Sequence, residues 1–244
     1  MIQIKLFGKY NFEGYTLLEG FPGAGLVGPM ANSYIIEKLN MEYIGYIESD
    51  KFPPITAIHD KIPMFPVRIY KEDKYKLIAI ISEFTIPTEL IYELGSELMD
   101  FIRKNNLSNI ISIGGIPTQK PTENAFIISS EKDMLQKASS MGIKPIEEGV
   151  IAGVSAILLA NATEFKIPVI NILVEVDPNI MDPKYAEVAI TNLKKITDID
   201  INIDELEKEA KLVEAKVREA MKKTRDSHET YKRASEATGP SMYA

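Results

Sequence analysis

A glycine-rich segment, residues 20–28, carries the first spacing in this chain that could do chemistry. Gly23, Gly25 and Gly28 match the G-x-G-x-x-G pattern of dinucleotide sites, in which the N-terminus of a helix holds a pyrophosphate. An acidic residue that binds the ribose is expected about 20 residues further on, and Glu48 stands there. The pattern therefore favours a nucleotide- or nucleoside-binding enzyme that uses the loop from Gly20 onwards.

The next residue, Pro29, argues against a cofactor at this segment. A dinucleotide motif begins its helix among the glycines, and proline lacks the backbone N–H that a helix interior needs. If Pro29 is the first helical residue, the helix begins beyond the glycines and away from a bound pyrophosphate. We therefore interpret the segment as a tight strand-to-helix turn and predict no cofactor, with the nucleotide-binding enzyme as the alternative.

Other catalytic groups are few. The chain contains no cysteine, which excludes disulfides and thiolate metal sites, and its two histidines, His59 and His228, have no evident partner. Ser155 lies in a Gly-Val-Ser-Ala-Ile string that resembles a nucleophile elbow, but only His228 follows it, on a peripheral charged helix. Small residues that begin a close-packed helix explain this string better, so we predict a protein that is not an enzyme and holds no metal.

The last three residues offer another chemistry, the recognition of a chain terminus. Met242 is an apolar anchor, Tyr243 adds an aromatic ring with a hydroxyl, and Ala244 supplies a carboxylate. They follow Gly239 and Pro240, which end a helix and form a spacer. The sequence therefore predicts a flexible docking tail over residues 238–244.

Composition limits the class of protein. At 244 residues, 45% hydrophobic and 26% charged, the chain is of the kind that folds as a globular domain. The 28 Lys and Arg against 35 Asp and Glu give a net charge of −7, which argues against nucleic acid as a partner. No stretch has the length and apolarity of a membrane span and the chain starts without a signal-peptide pattern, so we expect a cytoplasmic protein.

Apolar strands that alternate with helices predict a three-layer αβα domain with a mostly parallel sheet over residues 1–202. The predicted strands cover residues 16–19, 43–47, 67–70, 76–81, 110–113, 125–128 and 168–174. Helices are predicted after residue 28, over 88–103 with Thr88 as its cap, over 131–141, and over 153–165 as a buried helix. A charged helix over residues 203–237 is expected to precede the tail.

Three segments carry a resemblance to a known family. Residues 20–28, the strand that ends at residues 114–117, and residues 149–159 resemble the proteasome assembly chaperone family, especially its archaeal homologues. This resemblance implies an α/β fold related to nucleoside phosphorylases, without catalysis. It also implies an ATP-independent partner of proteasome α subunits, often acting as an oligomer.

The tail is similar to the hydrophobic–tyrosine–any-residue motif with which proteasome activators dock between neighbouring α subunits of the core particle. In that comparison Met242 is the anchor, Tyr243 is the tyrosine, and Ala244 carries the carboxylate. Because one tripeptide buries little surface, we expect a homo-oligomer that presents several tails together. Assembly, gate opening and binding of unfolded clients stay open as outcomes of this docking.

Overall fold

A nine-stranded sheet forms the centre of the structure. The structure is a computed structural model, and it describes residues 1–59, residues 61–203 and Lys222. Its strands are β1 (Gln3–Leu6), β2 (Thr16–Glu19), β3 (Glu42–Glu48), β6 (Val67–Glu72), β7 (Leu77–Ser82), β8 (Asn109–Pro117), β9 (Ala125–Ser129), β10 (Lys144–Pro145) and β11 (Val169–Val176). A separate hairpin consists of β4 (Ala57–His59) and β5 (Ile62–Met64). The order across the large sheet is β1-β3-β6-β7-β2-β8-β11-β9-β10.

Helices cover both faces of this sheet. They are α1 (Val27–Lys38), α2 (Ile91–Lys104), α3 (Lys132–Ser140), α4 (Val154–Phe165) and α5 (Pro183–Ile196). Helices α1 and α5 pack against each other in one layer, and α2 packs against α4 in the other. Within the described part of the chain, no helix is both long and apolar enough to cross a membrane. The predicted three-layer α/β architecture is therefore confirmed.

The parallel part of the sheet lies at its centre. Strands β7, β2, β8 and β11 run parallel to one another, and β10 is parallel to β9. The remaining neighbours, on both flanks, pair antiparallel, including the predicted hairpin of β6 and β7. The central strands are near-continuous apolar runs because each is covered by helices on both faces.

Successive residues of a central strand enter two different cores. Leu17 packs with α2 and α4, whereas Leu18 packs with α1 and α5. In β8, Ile110 likewise lies in the core with α2 and α4, and Ile111 lies in the core with α1 and α5. This follows from the two-residue period of a strand, which points neighbouring side chains to opposite faces. The next residue of β2, Glu19, consequently lies on the α2 and α4 face.

Two helix predictions are corrected by the structure. Thr88 begins a short 3-10 turn before α2, and no side chain caps that helix. Helix α4 is buried along one side only, at Val154, Leu158 and Ala162, because it lies in an outer layer with its other side toward solvent. The predicted C-terminal helix lies outside the described residues, apart from Ile203 and Lys222.

Candidate functional site

A cleft of about 480 Å³ opens at the carboxyl ends of β2, β8 and β11. Its walls are the loop after β2, the end of β8, and the segment that leads into α4. In open α/β sheets, ligands bind at this edge where the connections from two neighbouring strands run in opposite directions. Here β2 leads through α1 to β3 on one side, while β8 leads to β9 on the other. The cleft thus occupies the ligand position of this type of fold.

The glycine-rich segment 20–28 forms one wall of the cleft. It passes through a short 3-10 turn, Ala24–Leu26, and α1 begins at Val27. Pro29 is therefore the third residue of α1, where its missing N–H costs no helical hydrogen bond. The expectation that Pro29 would move the start of the helix beyond the glycines is wrong.

Close packing explains why the segment is rich in glycine. A Cβ atom on Gly20 would lie 2.6 Å from the carbonyl oxygen of Gly28, and one on Gly28 would lie 2.7 Å from the carbonyl oxygen of Ile113. A Cβ on Gly25, whose φ is +64°, would lie 2.9 Å from the Val176 side chain. The glycines let the turn cross directly over β8 and β11, which supports our interpretation of a tight strand-to-helix turn.

The acid of the dinucleotide pattern does not reach this turn. Glu48 ends β3, and both β6 and β7 lie between β3 and β2 in the sheet. Its carboxylate instead lies 3.7 Å from the Nζ atom of Lys5 on the edge strand. A dinucleotide site needs that acid beside the first strand, so the structure does not assemble the pattern.

The close packing predicts that an added Cβ atom destabilises the protein at Gly28 but not at Gly23. We expect Gly28→Ala to lower the free energy of unfolding by about 1–3 kcal/mol, because the new Cβ meets backbone that cannot move away. Gly23→Ala is the matched control, since its Cβ would have its nearest neighbour at 4.0 Å. Urea denaturation measures both, and equal stabilities of the two variants would contradict the packing explanation.

Glu19, the last residue of β2, is a fully buried carboxyl group behind the cleft. The hydroxyl of Ser155, in the first turn of α4, lies 2.8 Å from its Oε1 and 3.2 Å from its Oε2. Burial raises the pKa of Glu19 to about 7, although the hydrogen bond with Ser155 favours the charged form. The group therefore changes its charge near neutral pH.

Two further polar side chains continue from Glu19 across the sheet. Glu19 is in register with Ser112 of β8, and Ser112 is in register with Asn171 of β11. Ser112 and Asn171 are both buried, and Asn171 lines the cleft. Sequence reasoning missed this row of three polar residues. The sequence did contain a signal for two of them, since Ser112 and Asn171 each stand between two isoleucines in an apolar strand.

The raised pKa of Glu19 predicts how stability depends on pH. Between the unfolded pKa and about 7 the folded state holds the proton more tightly, so stability falls as pH rises through this window. Glu19→Gln should remove this loss and be more stable than the parent at pH 8, by up to about 3 kcal/mol. Urea titrations at pH 5 and pH 8 test this, with exposed Glu164→Gln as the control. If the free energy of unfolding depends on pH in the same way in the parent and in Glu19→Gln, the raised pKa of Glu19 is refuted.

The described residues assemble no nucleophile-elbow triad. Ser155 contacts Glu19, while the Nε2 atom of His59 lies 2.8 Å from Glu83, so His59 has the partner that the sequence did not reveal. His228 lies outside the described residues. In residues 1–59 and 61–203, no group of three or more His, Cys, Asp or Glu side chains could hold a metal ion.

The predicted docking residues Met242, Tyr243 and Ala244 also lie outside the described residues. The cleft is formed by described residues, and the tail is a candidate from its sequence alone.

Comparisons with known proteins give consistent matches. The model of the PAC2 family matches residues 17–221. An uncharacterised protein of Methanocaldococcus jannaschii is 31% identical over 211 residues, which cover 86% of this chain and 87% of the relative.

Two solved structures from Pyrococcus furiosus have the same fold. PbaA, an archaeal homologue of proteasome-assembly chaperone, is 28% identical, with a TM-score of 0.80 over 91% of this chain and 100% of its own. PbaB, an archaeal proteasome activator, is 21% identical, with a TM-score of 0.75 over 89% of this chain and 98% of its own. At that identity, PbaB supports the fold alone.

Proposed function

The chain belongs to the PAC2 family, which confirms its resemblance to proteasome assembly chaperones, and we propose that it is a noncatalytic, ATP-independent proteasome-binding chaperone or adaptor. The observation that carries this proposal is the match to PbaA along nearly the whole of both chains. Because PbaA is a homologue of proteasome-assembly chaperone, this match supports a proteasome-related role for the present protein.

The proposed contact is the tail. Met242 would enter an apolar pocket between two α subunits of the core particle, Tyr243 would stack and donate from its hydroxyl, and Ala244 would pair its carboxylate with a cation or backbone donors. The spacer with Gly239 and Pro240 would let these residues reach away from the domain.

Several tails acting together would make weak contacts useful. A single tripeptide buries little surface and loses entropy when it is ordered. A homo-oligomer that presents its tails to a ring of equivalent pockets raises the effective concentration of each further tail. The sequence contains no P-loop of the G-x-x-x-x-G-K-[ST] type, which supports ATP-independent binding rather than powered unfolding.

The geometry of the domain agrees with a noncatalytic role. The glycine segment is explained by packing, Glu48 is remote from it, and Ser155 has no histidine partner among the described residues. The part of the chain that the structure describes therefore offers no assembled dinucleotide or hydrolase site in support of the nucleotide-binding enzyme.

The direct test compares the full chain with a chain that ends at Ser241 for binding to purified archaeal core particles. We expect the full chain to bind and the shortened chain to lose binding while keeping the circular dichroism spectrum of the parent. Equal binding by both chains would refute docking by the tail. Absence of binding by both would refute the proteasome-binding function itself.

A second measurement separates two modes of action. An activator that opens the gate of the α ring would raise hydrolysis of a fluorogenic peptide by the core particles. An assembly factor would leave that rate unchanged and would instead accelerate the appearance of complete particles from separate subunits.

A further inference from the structure

Five aromatic rings form a continuous row on one face of the sheet. They belong to Phe7, Tyr43, Tyr46, Phe65 and Tyr70. Neighbouring ring centroids in the row lie 3.5 to 5.9 Å apart, and Phe65 stacks on Tyr46. Tyr43 is in register with Tyr70, which packs against the core that contains α1. These rings, which we call the aromatic face, therefore lie on the α1 side of the sheet.

The aromatic face is left partly open by the described residues. Helix α1 packs on β7, β2 and β8, whereas the rings lie beyond it, on β3 and β6 and beside the edge strand β1. Phe7 is 57% exposed and Phe65 is 40% exposed, and the three tyrosines of the row are half-buried. A cluster of large apolar side chains left open in this way marks a surface that another element or a partner covers.

The described chain leaves the domain beside this surface. After α5 the chain crosses to α1, where the carbonyl of Asn202 accepts a hydrogen bond of 2.8 Å from the Tyr34 hydroxyl. The carbonyl of Asp200 accepts one of 3.4 Å from the hydroxyl of Tyr75, in the turn between β6 and β7. Ile203 packs against the core that contains α1. The residues after Ile203 therefore begin between α1 and the turn that ends β6, the strand that carries one end of the aromatic row.

The sequence after Ile203 has the pattern of a helix that fits this surface. Asp204, followed three residues later by Glu207, is a capping-box pattern and predicts a helix start there. The apolar residues then recur at three- and four-residue spacing in one stripe, which contains Leu206, Ala210, Val213, Val217 and Ala220. A helix over residues 204–221 has a length of about 27 Å. The seven-residue strand β3 spans about 23 Å, so the two lengths agree.

We propose that residues 204–221 form a helix that packs its apolar stripe on the aromatic face, beside α1. The first turn contacts Tyr70, and later turns reach Phe7 and Phe65. The alanines of the stripe let the helix approach the rings closely. The match to the PAC2 family ends at residue 221, so this helix belongs to the part of the chain that the family shares.

This docking limits the free length of the tail. Only residues 222–244 then extend from the domain, and a shorter free segment raises the effective concentration of tails that an oligomer presents. The docking itself does not depend on the proposed function, and its test needs no core particles.

Cross-linking within the full chain tests the docking. The chain has no cysteine, so Lys5→Cys with Ala210→Cys introduces the only two thiols. Lys5 is exposed and is in register with Tyr46. We expect a short bismaleimide to join the two thiols within one chain, seen as a monomer mass with one linker and no free thiol. Glu164→Cys with Ala210→Cys is the matched control, because Glu164 is exposed on α4 in the opposite layer, and it should give no such product.

A tryptophan probe gives a second readout, because the chain contains no tryptophan. In Phe7→Trp we expect blue-shifted emission and weak quenching by acrylamide. Adding Val213→Asp should shift the emission to longer wavelength and strengthen quenching, because the helix then presents a charge to the rings. Ala215→Asp is the matched control, since residue 215 lies on the side of the helix opposite the stripe, and it should leave the emission unchanged.

Three results would overturn the proposal. One is a linker that joins two chains instead of one, which would assign the aromatic face to a second copy. Another is the lack of an intrachain linker, or an equal yield in the Glu164→Cys control. The third is tryptophan emission that responds to neither aspartate, or to both equally.

Discussion

Tyr243→Ala is expected to weaken binding to archaeal core particles at least about 100-fold, while Tyr231→Ala leaves binding unchanged. An aromatic side chain that anchors an interface contributes about 2 kcal/mol or more, and this loss is repeated for every tail that an oligomer docks. The substitution keeps the terminal carboxylate of Ala244, so the effect isolates the tyrosine. Surface plasmon resonance on immobilised core particles measures the change.

Tyr243→Phe divides the contribution of that residue further. It keeps the ring and removes the hydroxyl, so we expect its affinity for core particles to lie between that of the parent and that of Tyr243→Ala. Tyr231 is the control because it lies in the charged segment before the tail. Unchanged affinity of Tyr243→Ala would show that docking does not use the predicted motif. An equal loss in Tyr231→Ala would place the contact in the charged segment instead.

Arg68→Met is expected to lower the free energy of unfolding by about 3–5 kcal/mol, because it removes one partner of a buried ion pair. Arg68 is 3% exposed and pairs with Glu83, which is itself 9% exposed. Its Nε donates to the Tyr70 hydroxyl at 2.9 Å and its Nη1 to the Phe65 carbonyl at 3.2 Å. Burial alone would raise the pKa of Glu83, but His59 and Arg68 together hold that pKa below its usual value.

Lys104→Met is the matched control for Arg68→Met. The Lys104 side chain is 73% exposed, and its Nζ atom lies 3.4 Å from Oδ2 of Asp100, one helical turn away. A surface pair of this kind contributes about 0.3–0.5 kcal/mol. Urea denaturation at one fixed protein concentration measures both variants, since subunit association would shift apparent stability. Adding Glu83→Gln to Arg68→Met should restore part of the loss, because the double variant no longer buries a carboxylate that has lost its guanidinium partner. A loss in Arg68→Met no larger than in the control would contradict this account.

Local pattern predicted much of the fold. The stripe of Leu90, Ile91, Leu94, Leu98 and Ile102 predicted α2. Ile91 is half-buried, and the other four residues are buried in the core on that side of the sheet. Residues 20–28 also carried the family resemblance that the PAC2 match confirms.

Other elements escaped although their signals were local. Helix α5 begins at Pro183, and the side chain of Asp182 accepts a hydrogen bond from the Lys184 N–H, a capping pattern that the sequence shows. Conversely, Thr88 was predicted as a cap from residue type alone. The chain forms a 3-10 turn there before α2 begins, and residue type does not reveal that geometry.

The sequence by itself determined the alternation of apolar strands and helices and the turn at residues 20–28, and it predicts the docking role of Met242, Tyr243 and Ala244. The tertiary structure alone decided that Glu19, Ser112 and Asn171 form one buried row beside a cleft. These residues come from strands far apart in the chain. Their register is set by the helices packed on both faces of the sheet and by pairing between distant segments, so no local pattern contains it.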